Sequence, residues 1–242
     1  MRFIQKIEAP VELGEWKRDF YQDHKIRAKY KDLAKRPDVR QALKKSLLAE
    51  QFSICCYCLA RIESETSHIE HLKPQSKFPG EQLSYQNMFL SCLATRHEEG
   101  ELSCGHNKDD FYHEKWFVSP LDLECGEYFK YTMSGEILPA CEFGSEGWQK
   151  ATTTIEKLNL NASRLKRLRK VAIDVALQND FDPTAPLDES ELRKRMKYYE
   201  MPKSNGELEP FCSAITFMLG KELDATRKRK KSDTKPEVPP VS

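Results

Sequence analysis

The sequence predicts a mainly α-helical chain of mixed α+β class, one helical body holding a small metal-stabilised core. Three observations lead there. Residues 11–52 and several stretches between 147 and 223 set apolar side chains at helical spacing. From Phe52 to Phe117 that period fails, and Cys, His, Gly, Asn and Pro concentrate. "EYFKYTMSGEILPA", residues 127–140, alternates around Ser134 and Gly135 and predicts a hairpin.

The first helix is read from "LGEWKRDFYQDHKIRAKYKDLA". After Pro37, "DVRQALKKSLLAEQF" places Val39, Leu43, Leu47 and Leu48 on one face, with Lys44 and Lys45 opposite. Asp38 is its expected N-cap. The 52–117 stretch reads as poor in aliphatic core, so a structural metal is the expected source of its stability. Beyond the hairpin, two helices break near Asn159 to Asn161. The second is expected to turn Leu165, Leu168, Ala172 and Val175 inward, with Arg164, Arg167 and Lys170 outside. "DESELRKRMKYYEM" and "LEPFCSAITFMLGKEL" add one or two more helices. The tail "DATRKRKKSDTKPEVPPVS" has no apolar face and is expected to be disordered. The expected organisation is a helical region over 1–52, the metal-bearing core over 53–118, a hairpin and helical region over 119–224, and a basic, Pro-rich tail over 225–242.

In 242 residues, 39 Lys and Arg stand against 38 Asp and Glu, so net charge is about +1 and nucleic-acid affinity must come from local patches. No apolar run approaches the ~18–20 residues of a membrane span. "MRFIQKIEAPVELGEW" interrupts its apolar residues with Lys6, Glu8 and Glu12, unlike a signal peptide. A cytoplasmic location is the expectation.

Four of the eight cysteines, Cys55, Cys56, Cys58 and Cys92, fall within 38 residues, and Cys104 follows. Such clustering in a reducing compartment points to metal, whereas Cys125, Cys141 and Cys212 are scattered and read as small buried hydrophobes. Cys55 and Cys58 form C-x2-C, a spacing that closes two thiolates on one tetrahedral ion. Cys92 and Cys104 are the natural second pair, giving a structural zinc. The eleven residues between them include His97, a competitor for the fourth position. Ordinary buried cysteines are the alternative.

"SHIEHLKPQSKFP", residues 67–79, supplies His68, Glu70 and His71. Glu70 is a hard oxygen ligand suited to Mg2+ or a similar ion. Neighbours on a strand face opposite ways, so Glu70 and His71 serve one pocket only at a strand end, and Pro74 supplies that ending. Downstream lie Asn87, His106 and Lys108. Each alone is a surface or turn residue.

The run "CCYC", "HIEHLKPQS", "YQN", "SC" and "CGHNK" resembles the HNH endonuclease family, whose fold is the ββα-metal finger. The resemblance covers about residues 55–112. It implies His71 as general base, and Glu70 and His106 as ligands of a catalytic divalent ion such as Mg2+. It implies Asn87 as the residue that holds the histidine loop. His68 stays open between a further ligand, a phosphate contact and a structural role. Lys108 stays open between a phosphate contact and a solvated helix residue.

The flanks "MRFIQKIEAP" and "PFCSAITFML" and the insertion after Cys92 look like the PtuB-type HNH component of Septu-type and Ec78-like retron anti-phage systems. That resemblance implies phage restriction by nucleic-acid cleavage, on DNA ahead of RNA. It also implies a PtuA-like ABC-type ATPase partner and a retron RNA/DNA complex as a further one. The chain has no Walker A motif, so ATP dependence requires another chain. Two competing readings are a non-catalytic zinc-stabilised adaptor on nucleic acid or ATPase, and a disulfide-stabilised secreted protein. "SRLKRLRK" and "TRKRKK" read first as solvated charge, with phosphate contact as the alternative.

Overall fold

The structure, a computed structural model, describes residues 1–93, 101–178 and 186–233. It is mostly helical with two small antiparallel sheets, an α+β arrangement.

Helix α1 (Val11–His24) buries Leu13 and Trp16 and stops at Lys25, whose left-handed backbone returns its N–H to Tyr21 O. Helix α2 (Pro37–Glu50) begins two residues earlier than expected. Pro37 occupies its first turn, where a missing N–H costs nothing, and Arg36 is the cap. Asp38 therefore lies inside the first turn and pairs with Arg36 at 2.7 Å. Val39, Leu43 and Leu47 are buried as expected. Glu50 extends that face as a buried ion pair, 2.7 Å from Lys6.

Strands β1 (Ser67–His71) and β2 (Met88–Cys92) pair antiparallel, with Ser67 opposite Cys92 and His71 opposite Met88. The one-turn helix α3 (Gly105–Lys108) follows. This region is richer in core than its sequence suggests. Ile54, Ile62, Ile69, Leu72, Leu83, Met88, Phe89 and Leu90 are all buried, and most share one apolar cluster with Leu13, Leu43, Phe117, Ile155 and Leu165. Irregular backbone hides that burial from any periodicity test.

Strands β3 (Phe129–Tyr131) and β4 (Ile137–Pro139) form the second sheet, joined through Gly135 at φ 78°. A Cβ there would run into Lys166 O and lie 2.7 Å from Lys170 N, so the turn sits against the backbone of α5 (Ser163–Leu177). Helix α4 (Glu146–Lys157) is capped by Ser145, whose hydroxyl accepts from Trp148 N–H at 3.1 Å. The inner face of α5 is rotated from the expected one: Leu165, Arg169, Ile173 and Ala176 are buried, and Val175 is exposed. Arg169 turns inward because it donates to the carbonyls of Gly135 and Leu160.

Helices α6 (Glu189–Glu200) and α7 (Cys212–Asp233) pack together. Helix α7 runs well into the segment expected to be disordered. Arg227 is 3.1 Å from Glu189 and Arg229 is 3.3 Å from Glu222, so these basic residues have partners. The rest of the tail and His97 lie outside the described residues. No helix among the described residues is long and apolar enough to cross a membrane.

Candidate functional site

Two centres share the β1–β2–α3 unit. The first is the cysteine quartet. Cys55 and Cys58 sit in the turn after α2, Cys92 ends β2, and Cys104 precedes α3. Their sulfurs all lie within 4.8 Å of one another, and all four residues are buried. Cys58 and Cys92 Sγ are 3.9 Å apart. Thiolates about 2.3 Å from a tetrahedral zinc stand about 3.8 Å from each other, so the set fits a four-sulfur ion. Burial pushes the Cys55 thiol up, but the sulfurs of Cys104, Cys56, Cys58 and Cys92 overcome it and hold that thiol well below its usual range. Cys56 stands outside the quartet, its thiol pushed up by burial. Cys125 and Cys212 are buried as expected, while Cys141 is only partly so.

The second centre grows from the alternation of β1. His68 and Glu70 share a face, with His68 Nε2 3.4 Å from Glu70 Oε2. Helix α3 lays His106 against them, its ring centroid 4.3 Å from that of His68. This approach needs Gly105: a Cβ there would strike Glu70 Oε2 and lie 2.7 Å from His68 Nε2. Glu70 Oε1 is held from behind by Lys108 Nζ at 2.8 Å and by the Tyr57 hydroxyl, which donates at 3.1 Å. Burial raises the Glu70 carboxyl, but His68 and Lys108 outweigh it and keep the group below the usual carboxylate range. Lys108 is thus neither solvated nor open to a ligand. It is 2% exposed and also donates to His71 O at 2.9 Å.

His68 Nδ1 is buried and finds no hydrogen-bond partner among the described residues. His68 Nε2, the Glu70 carboxylate beside it and the His106 imidazole are donor types suited to a divalent first-row ion. The set is more open than the quartet, which alone among the described residues gathers three or more ligand atoms within 4.8 Å.

His71 faces the other way. Its Nε2 lies 2.9 Å from Gln82 O, its Nδ1 3.2 Å from Gln75 Nε2, and the edge of Tyr30 packs on the ring at 4.6 Å. Burial holds it below the usual imidazole range, so the ring is neutral near pH 7. Asn87 fixes the surrounding loop: Oδ1 accepts from Lys73 N at 2.8 Å, and Nδ2 donates to Lys73 O at 3.0 Å and Glu81 O at 3.2 Å. The structure therefore brings His106 to Glu70 by way of His68, and Asn87 to the His71 loop. Contacts divide these pairs between the two faces of β1, and Lys108 links the faces at the strand end.

Sequence reasoning left His68 open and missed Tyr57, Gly105, Gln75, Gln82 and Tyr30. The i, i+2 spacing of His68 and Glu70 was a usable signal. The Gln82 contact runs through a main-chain carbonyl and leaves no mark in residue type.

No family model matches the chain. A protein of Escherichia coli, named by proposed assignment as the HNH endonuclease of retron Ec83, is 25% identical over 203 residues, covering 70% of this chain and 74% of the relative.

Proposed function

We propose that the chain is a metal-dependent HNH endonuclease that hydrolyses nucleic-acid phosphodiester bonds as the effector of an anti-phage system. The observation that carries this reading is the meeting of His68, Glu70 and His106, one strand position from a buried, carbonyl-held His71. Similarity to a protein named as a retron HNH endonuclease supports it.

In this reading Glu70 and His106, with His68 beside them, would hold a divalent ion, which would supply charge stabilisation at the scissile phosphate and the leaving oxygen. His71 is the base. Its Nε2–H donates to Gln82 O, which fixes the tautomer and leaves Nδ1 as the proton acceptor. Gln75 Nε2 now lies against that nitrogen and marks the position an attacking water takes. Asn87 keeps the loop, and hence the ring, from turning. The cysteine quartet holds zinc away from the chemistry and fixes α3 against β1. A PtuA-like ABC-type ATPase supplies the nucleotide dependence this chain cannot, and a retron RNA/DNA complex is the further partner. DNA is the favoured target.

The second reading is a zinc-stabilised adaptor that binds nucleic acid or the ATPase without cutting. One observation favours it: His71 turns away from Glu70 and His106. Purified chain with its ATPase partner, incubated with plasmid, single-stranded DNA and tRNA with and without EDTA, separates the two. Metal-dependent products that vanish in His71→Ala are expected. Full cleavage by His71→Ala rejects the base assignment, and no products with any divalent ion leaves the adaptor.

A further inference from the structure

A half-open groove of about 740 Å3 runs between α1 and the loop that leads into β2. Lys17, Tyr21, Arg27 and Lys29 line one wall, and Gln82 and Ser84 belong to the other. All four residues of the first wall are exposed. Three cations line the groove and no carboxylate does. Of the acids close in sequence, Glu81 is engaged by Lys73 at 3.2 Å, Asp32 by the Lys29 backbone N–H at 2.9 Å and Asp19 by Arg18 at 3.9 Å, while Glu15 and Asp23 on α1 are exposed and do not line the groove. In a chain of net charge +1 this is a local excess of positive charge.

The groove shares a residue with the surroundings of the candidate base. Gln82, part of its wall, is the residue whose carbonyl lies 2.9 Å from His71 Nε2. The Gln82 side chain accepts from Tyr30 N–H at 3.0 Å, and Tyr30 is the ring packed on His71. Lys17 is tied to the same loop, donating to Leu83 O at 3.3 Å.

Residues of the two basic runs that stand out in the sequence have partners within the fold. Arg169 is buried on backbone carbonyls, Lys170 pairs with Asp174 at 2.5 Å, and Arg227 pairs with Glu189. The groove cations come instead from residues scattered between 17 and 29, which form no run.

We propose that this groove binds the sugar-phosphate backbone of a nucleic-acid strand and leads it past Gln82 toward His71. Lys17, Arg27 and Lys29 meet successive phosphates, and Tyr21, 55% exposed, offers a face for a base to stack. The direction toward His71 rests on the nuclease reading, whereas the binding itself does not.

Fluorescence anisotropy on full-length protein without added divalent ions tests it, using labelled single-stranded DNA, duplex DNA and RNA of one sequence over a salt series. Each phosphate contact contributes about 0.7–0.9 to the slope of log affinity against log salt. The triple variant Lys17→Gln, Arg27→Gln, Lys29→Gln is expected to flatten that slope by about 2–3 and to weaken binding at low salt by more than about tenfold. The control Arg193→Gln, Lys194→Gln, on exposed α6, is expected to leave the slope unchanged. An unchanged slope in the triple variant, an equal loss in the control, or equal competition by polyglutamate overturns the proposal. Should the triple variant fail to fold, acetylation footprinting of the wild-type protein decides, with Lys17 and Lys29 protected by DNA if the groove is occupied and reactive if it is not. Lost binding in the triple variant, with no cleavage under any ion, keeps the groove and rejects the nuclease. Normal binding in that variant, with cleavage lost in His71→Ala, does the reverse.

Discussion

Gly105 has its place because nothing larger fits. Its α-carbon hydrogens face Glu70 and His68, and a methyl group there would occupy the space that lets α3 bring His106 to them. Replacing Gly105 with Ala forces either the carboxylate or the helix aside. Overpacking of this kind costs typically about 1–3 kcal/mol, so the protein should fold and melt lower. Misplacing a ligand by about 1 Å can cost a hundredfold in rate, so cleavage should fall by about that factor. Zinc content by metal analysis should not change, because the Cys104 sulfur joins the quartet from the other side of the turn. Wild-type cleavage by Gly105→Ala would show that the His68–Glu70–His106 approach is not used.

At the scale of elements, α2 shows what a periodic pattern reveals and where it stops. Val39, Leu43 and Leu47 were legible because burial there follows the helix period. The start was off by two residues, since Arg36 is the cap, Pro37 takes the first turn and Asp38 is left inside it. That position has a consequence for pH. The Arg36 guanidinium beside Asp38, with the Val39 backbone N–H, holds its carboxyl at about 2 against an ordinary 3.8. The folded value is depressed, so the contribution to stability is present above 3.8 and is lost as pH falls toward about 2. Asp38→Asn should therefore lower the melting temperature slightly at pH 7, and the two melting curves should converge near pH 2. A gap that persists in strong acid would assign the effect to packing. In α5 the pattern failed outright, because the inward Arg169 is chosen by two hairpin carbonyls that no hydropathy period can register. The residue types of the candidate site were legible for the opposite reason: Cys, His and Glu at short spacing are chemically distinctive. Which way His71 faces was not legible, since loop backbone at Gln82 and Asn87 decides it.

Across the whole molecule the cysteine quartet is the element of widest reach. Its sulfurs come from the turn after α2, the end of β2 and the residue before α3. Cys104 adds a further tie, donating its backbone N–H to Leu158 O just past α4, at 2.7 Å. Cys104 holds φ at 55°, a left-handed conformation unusual for a side-chain-bearing residue, so an outside constraint must keep it there. The bond to Leu158 O is one such constraint, and an ion bound by the quartet would add a second. Without that ion the quartet would be four buried thiols, and α3 would keep the Lys108 contacts to Glu70 and His71 O as its polar tie to β1. Structural zinc contributes about 10–16 kcal/mol in small metal-dependent folds, and part of that should appear here as coupling between the N-terminal and C-terminal helices. Titrating the purified chain with a mercurial is therefore expected to release one zinc per chain. The melting transition should broaden and move down, and cleavage should be lost in the same step. Cys56 and Cys125, outside the quartet, should be replaceable by Ala with zinc retained, whereas Cys104→Ser should release it. A protein stripped of metal that melts at the wild-type temperature would show that the apolar cluster alone, running from Met1 to Met218, holds the molecule together.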